Sequence, residues 1–105
     1  IFNRQGNDVH IEIPVTLPEA VLGATITVPT IDGMVSLKVP KNSNNGAVLR
    51  LRGKGILDRA AKQRGDQYVR LKLMLPDEID REFSEFLEQW SRRHPYDARG
   101  GTDRR

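Results

Sequence analysis

Cysteine is absent from this chain of 105 residues. Its absence excludes disulfide staples, thiol nucleophiles and every zinc site built on thiolates. Histidine is nearly absent: His10 and His94 stand far apart and are too few for a histidine-rich metal centre. No apolar run approaches the roughly 20 residues a membrane-spanning helix requires, so no membrane partner is expected. The opening Ile1-Phe2-Asn3-Arg4 has neither an initiator methionine nor the apolar stretch of a secretory signal, and reads as the start of a piece of a longer chain. What the chain does hold, 37% hydrophobic and 30% charged residues, suits one soluble globular domain, and the lack of cysteine fits a cytoplasmic location.

Where the charge sits says more than its total of +3. Residues 1–37 are net −3, residues 38–72 net +8, residues 77–88 net −5, and the tail from Arg92 net +3. The basic middle raises nucleic acid as a partner, through Lys38, Lys41, Arg50, Arg52, Lys54, Arg70 and Lys72. Against this, Tyr68 is the only aromatic between Lys38 and Lys72, where stacking on exposed bases needs several.

Between residues 8 and 16, Val9, Ile11, Ile13 and Val15 alternate with polar positions, which predicts a strand with one buried face. Pro14 marks an edge or a bulge in it. Thr16-Leu17-Pro18-Glu19 fits a capping box opening a short helix that Gly23 stops. Two further alternating runs, 25–28 and 35–39, are joined by Ile31-Asp32-Gly33, whose Asp-Gly pair is expected to supply the positive φ angles of a tight hairpin. A polar loop over 42–46, tolerant of left-handed backbone, leads to a strand at 49–52 that Gly53-Lys54-Gly55 ends. Residues 57–65 read as a polar, mobile loop. Val69, Leu71, Leu73 and Leu75, alternating with Tyr68, Arg70, Lys72 and Met74, predict the longest of five strands.

Asp77 is the expected N-cap of a helix over 78–93, with Glu78 and Asp80 in the first turn and Arg92 and Arg93 in the last, as the helix dipole favours. At about 100° per residue, Ile79, Phe83, Phe86, Leu87 and Trp90 fall in an arc of roughly 100°. That stripe must be covered, either by the sheet of its own chain or by the same helix of a second copy. Residues 94–105 have no periodicity and read as a flexible tail. The expected organisation is a β-domain over 1–76, a helix over 77–93 and the tail.

Catalytic constellations are missing. Ser36, Ser43, Ser84 and Ser91 sit in no strand-to-helix elbow. His10 falls on the polar face of a strand and His94 after a helix, both read as surface histidines. Asp77, Glu78 and Asp80 are explained by helix capping. Arg50-Leu51-Arg52-Gly53-Lys54-Gly55 offers cations and backbone N–H groups to a phosphate, yet lacks the Gly-Lys-Ser/Thr ending and following helix of a P-loop; a solvated strand running into a turn is the other reading. No enzymatic activity, metal or cofactor is expected.

Read together, several segments resemble the second C-terminal β-domain of the J-domain cochaperones, the DnaJ or Hsp40 family. They are Phe2-Asn3-Arg4-Gln5-Gly6-Asn7-Asp8, Leu17-Pro18-Glu19-Ala20-Val21-Leu22-Gly23, Val28-Pro29-Thr30-Ile31-Asp32-Gly33, Leu37-Lys38-Val39-Pro40, Leu49-Arg50-Leu51-Arg52-Gly53-Lys54-Gly55 and Gly65-Asp66. Their order and spacing cover nearly the whole chain.

The resemblance implies a mainly β fold: a two-layer β-sandwich with a short helix and a C-terminal amphipathic helix. It also implies a homodimeric parent that captures unfolded polypeptides and delivers them to Hsp70. The J-domain that stimulates Hsp70 is not in this chain, since His94-Pro95-Tyr96-Asp97 carries one residue too many to match its His-Pro-Asp motif. Some bacterial relatives bind curved DNA, so a DNA-binding module using the basic 38–72 segment is the alternative function. Three expectations follow: weak binding of extended apolar peptides at a sheet edge, with Ile26 and Val28 as contact residues; homodimerisation through Phe83, Phe86, Leu87 and Trp90; and no chemistry.

Overall fold

A computed structural model describes residues 2–100. The chain divides into two compact units, Ile1–Leu75 and Pro76–Arg105. In the first, eight strands and one helix run in the order β1 (Asn3–Gln5), β2 (Asp8–Thr16), α1 (Leu17–Leu22), β3 (Ala24–Thr30), β4 (Gly33–Val39), β5 (Val48–Leu51), β6 (Leu57–Asp58), β7 (Gln63–Arg64) and β8 (Gln67–Met74). One sheet has the order β1-β2-β8-β5; β3 with β4 and β6 with β7 form two-stranded sheets. The β2–β8 pair is parallel, Ile11 opposite Val69 and Ile13 opposite Leu71, and the remaining pairs are antiparallel.

The period-2 pattern puts Ile11 and Val15 of β2, Val69 and Leu71 of β8, Val28 of β3, and Leu37 and Val39 of β4 in one core, with Ala20 of α1 beside them. The four-stranded sheet and the β3–β4 hairpin are thus the two layers of a mainly β sandwich. Gln67 is buried within it, its Nε2 donating to the Pro29 carbonyl at 2.9 Å across the layers.

Where the structure departs from the sequence expectation, the backbone gives the reason. The described residues form eight strands, because β1, β6 and β7 are too short and polar to show alternation. Residues 57–65 form a small hairpin, with Lys62 at φ 56°, instead of a featureless loop. The longest strand is β2, with 9 residues against 8 in β8, since Leu75 stands 63% exposed beyond the end of β8. In the β3–β4 turn Gly33 alone takes positive φ, 117°. Thr30 Oγ1 holds the turn by accepting from the Asp32 N–H at 3.1 Å and donating to the Gly33 carbonyl at 2.7 Å.

The Thr16–Glu19 capping box forms with both bonds, 2.9 and 3.2 Å. The far end of α1 is closed by the 42–43 loop, whose Asn42 and Ser43 N–H groups donate to the carbonyls of Val21 and Ala20. Asn42 takes the left-handed backbone that this needs, at φ 63°.

The tightest point is the crossing of the β1–β2 turn over the backbone around Gly55 and Gly65. Ile56 N–H donates to Asn7 O at 2.8 Å, Gly55 N–H to Gly65 O at 2.9 Å, and Asp66 N–H to the Asp8 carboxylate at 2.8 Å. A methyl group on Gly65 would overlap the Asn7 carbonyl, and one on Gly55 would do the same. Glycine is required at both positions because backbone meets backbone.

The described residues of the second unit hold one helix, α2 (Arg81–Arg93). Its N-cap is Asp80, not Asp77: the Asp80 Oδ1 accepts from the Phe83 N–H at 2.8 Å, so Glu78 lies outside the helix and Glu82 is the acid of its first turn. After the helix, Trp90 packs against His94 (5.0 Å between ring centroids) and edge-on to Tyr96 (6.4 Å). Of the expected tail, residues 101–105 lie outside the described residues.

Candidate functional site

Among the described residues β1, β3, β4 and β5 each have one side without a partner strand; two of these edges bear on binding, the side of β3 away from β4 and the side of β5 away from β8. Such an edge offers a row of backbone donors and acceptors to an extended segment. On β3, Ile26 and Val28 alternate with Thr25 and Thr27 and face inward. Val28 is completely buried in the core, so a peptide at this edge would meet its main chain and not its side chain. Ile26 is partly buried at the margin of the core and remains at the surface.

The second edge escaped sequence reading. Val48, 48% exposed, stands on β5 beside a cleft of about 260 Å³ lined also by His10, Glu12, Tyr68 and Arg70. The β2–β8 and β5–β8 registers gather these residues on the outer face of the sheet, Glu12 opposite Arg70 and Arg70 opposite Val48. Their separation in sequence hid the cleft, and the parallel β2–β8 pairing that creates it leaves no local signal.

In the same face His10 and Tyr68 stack on each other at 5.1 Å and 19°. The stack occupies one face of each ring. The basic residues are divided: Lys38 leaves the outer face of β4, while Arg50, Arg70 and Lys72 stand on the other layer, with Glu12 among them.

The Arg50–Gly55 segment already holds an anion of its own. Asp66 accepts from Arg50 Nε and from the Gly53 N–H, each at 2.8 Å. The Gly53 N–H and then the Arg50 guanidinium hold the Asp66 carboxyl below the usual carboxylate range. The cation and the N–H group that looked open to phosphate are therefore engaged within the chain. Among the described residues, no group of three or more His, Asp or Glu side chains is placed to share a metal ion.

Of the stripe expected from the sequence, Phe83, Phe86, Leu87 and Trp90 lie on α2, while Ile79 stands before its N-cap Asp80. No residue of the helix is buried; Phe86 is 58% exposed, Leu87 39% and Trp90 37%, with Phe83 intermediate.

The fold is a two-layer β-sandwich with open strand edges. Residues 1–76 match the family described as "DnaJ C terminal domain", and the chain belongs to that family, one of chaperone components and not of enzymes. It is 43% identical over 91 residues to the Chaperone protein DnaJ of Acetivibrio thermocellus, covering 87% of this chain and 24% of that protein. With the Chaperone protein DnaJ of Ruminiclostridium cellulolyticum it shares 44% over 91 residues (87% and 24%), and with that of Erysipelothrix rhusiopathiae 44% over 87 residues (83% and 24%). The chain spans about a quarter of the length of these curated relatives. No helix among the described residues is long and apolar enough to cross a membrane.

Proposed function

We propose that this chain is the part of a DnaJ-type cochaperone that binds unfolded polypeptide and pairs two copies of the parent, supporting client delivery to Hsp70. The observation that carries the reading is the open edge of β3, which is hydrogen-bonded to β4 alone and bordered by Ile26. Main-chain pairing at such an edge reads little sequence, and a chaperone must accept many sequences. The uncovered stripe of α2 supports the pairing half of the reading. Each aromatic buried there would remove roughly 150 to 250 Å² from water, at about 25 cal/mol per Å². Association costs of about 4 to 15 kcal/mol offset much of that gain, so the dimer is expected to be weak.

Titration of the ¹⁵N-labelled chain with an extended apolar peptide tests the client half. Amide shifts along residues 24–30 are expected; shifts confined to α2, with none on either open edge, would overturn it.

A further inference from the structure

Resting on the reading of α2 as a dimer surface, we propose that the two copies of α2 pack antiparallel, so that Glu82 of each chain faces Arg93 of the other across the two-fold axis.

The inference starts from which charges α2 leaves over. Arg81 pairs with Glu85 at 3.3 Å and Arg92 with Glu88 at 3.0 Å, each one turn apart, and Asp80 is engaged as the cap. Glu82 and Arg93 are the charged side chains of the helix with no ion pair. They stand at opposite ends, eleven positions apart. At about 100° per residue that spacing brings them within roughly 20° of each other on the helix surface. Both flank the Phe83–Phe86–Leu87–Trp90 stripe on one shoulder; the other shoulder carries the uncharged Ser84 and Ser91.

The shoulder arrangement discriminates between orientations. Two parallel helices set each shoulder against the opposite shoulder of the partner, so Glu82 and Arg93 would look onto serines. Antiparallel helices related by a perpendicular two-fold set like shoulder against like shoulder, which brings the acidic end of one against the basic end of the other, twice. The helix dipoles then also oppose.

The apolar residues fit the same register. With the two-fold between Phe86 and Leu87, Phe83 is level with the partner's Trp90, and Phe86 with the partner's Leu87. Glu82 and the partner's Arg93 then differ in height by about 3 Å, two residues at about 1.5 Å each, within reach of both side chains.

Sedimentation equilibrium of the 105-residue chain tests this with Glu82→Arg, Arg93→Glu and their equimolar mixture. Either variant alone makes both cross-pairs like-charged and is expected to weaken dimerisation roughly tenfold. In the mixture every cross-pair is again of opposite charge, and the wild-type constant should return. Both substitutions oppose the helix dipole, but mixing does not alter either sequence, so recovery on mixing cannot come from helix content. If circular dichroism shows helix loss in either variant, Glu82→Gln and Arg93→Gln replace them: the wild-type dimer should weaken as salt rises, and the glutamine variants should lose that dependence. A wild-type dimer whose variants associate normally, or whose mixture stays as weak as its parts, overturns the antiparallel arrangement while leaving the dimer. A wild-type chain that stays monomeric at high concentration overturns the dimer reading itself.

Discussion

At the β1–β2 crossing, one methyl group on Gly65 would overlap the Asn7 carbonyl, whereas on α2 the side chain of Phe86 is 58% exposed. The two units handle apolar and backbone groups in opposite ways. The sandwich buries its own: Val28, Val39 and Val69 are fully buried, and Gln67 donates its amide N–H to Pro29 while its Oε1 is left without a partner. The helix keeps two of the three phenylalanines and the only tryptophan with no buried residue among them. Residues buried in their own unit act on stability, and the exposed apolar residues of α2 are those the proposed function assigns to a partner. Substitutions should therefore separate: those in the sandwich change unfolding, those on α2 change association.

The largest expected effect is that of Gly65→Ala. The obstacle is backbone, which cannot swing aside as a side chain would, so the cost is expected to reach about 3 kcal/mol or more. Urea unfolding followed by far-ultraviolet circular dichroism measures it. A midpoint equal to wild type would mean that the crossing is loose, and the contrast with α2 would lose its firmest member.

Next come Phe86→Asp and Trp90→Ala. Either should abolish the wild-type shift in sedimentation toward dimer at high concentration, while the sandwich unfolding midpoint stays within about 0.5 kcal/mol of wild type, as for surface positions. Were both variants to unfold the chain, the stripe would be core, and the division between self-sufficient sandwich and outward-facing helix would fail.

How much of this was legible beforehand follows the range of the interactions. The alternation in β2, β3, β4 and β8 is local, and it picked out the strand faces on which Val9, Ile11, Val15, Val28, Leu37, Val39, Val69 and Leu71 prove buried, although Ile13 and Leu73 of the same runs are only partly buried and Leu75 is exposed. The Thr16–Glu19 box and the α2 stripe were equally local. Asp77 and Asp80 offer the same carboxylate three residues apart, so the cap of α2 rests on which one reaches the Phe83 N–H, and residue type alone does not say. The parallel β2–β8 pairing joins segments separated by most of the chain. With it were hidden the cleft at Val48 and Tyr68 and the role of Asp66, which looked like one acid in a basic stretch and proves to be the anion that the Arg50–Gly53 turn encloses.

Thr16→Ala should cost about 1 kcal/mol, the usual value of an N-cap oxygen. It removes the acceptor for the Glu19 N–H at the joint where β2 hands over to α1. Differential scanning calorimetry should show a lowered transition, with no change in the concentration dependence of sedimentation. An altered dimer constant would mean that the α1 joint communicates with α2, and would blur the separation of the two units.

The smallest effect expected is electrostatic, and its sign is fixed by Asp66. Its carboxyl titrates lower in the folded chain than in the unfolded one, because the ionised form accepts from the Gly53 N–H and from Arg50. The unfolded state therefore takes up a proton first as the medium is acidified. The contribution of these contacts is fully present above the unfolded carboxylate value of about 3.9 and is lost as the pH falls through the lower, folded value. Arg50, raised by the same contact, stays charged throughout this range and adds no pH dependence. Asp66→Asn keeps an oxygen for the Gly53 N–H but gives Arg50 no charge. At neutral pH the variant should unfold at slightly lower urea than wild type, and the gap should close as both are taken to acid. The pair is a surface one, with Arg50 51% exposed, so salt should narrow the gap as well. A gap that persists unchanged into strong acid would mean that shape alone holds the 50–53 turn. The Asp66 charge would then play no part in what distinguishes this loop from the open charges of α2.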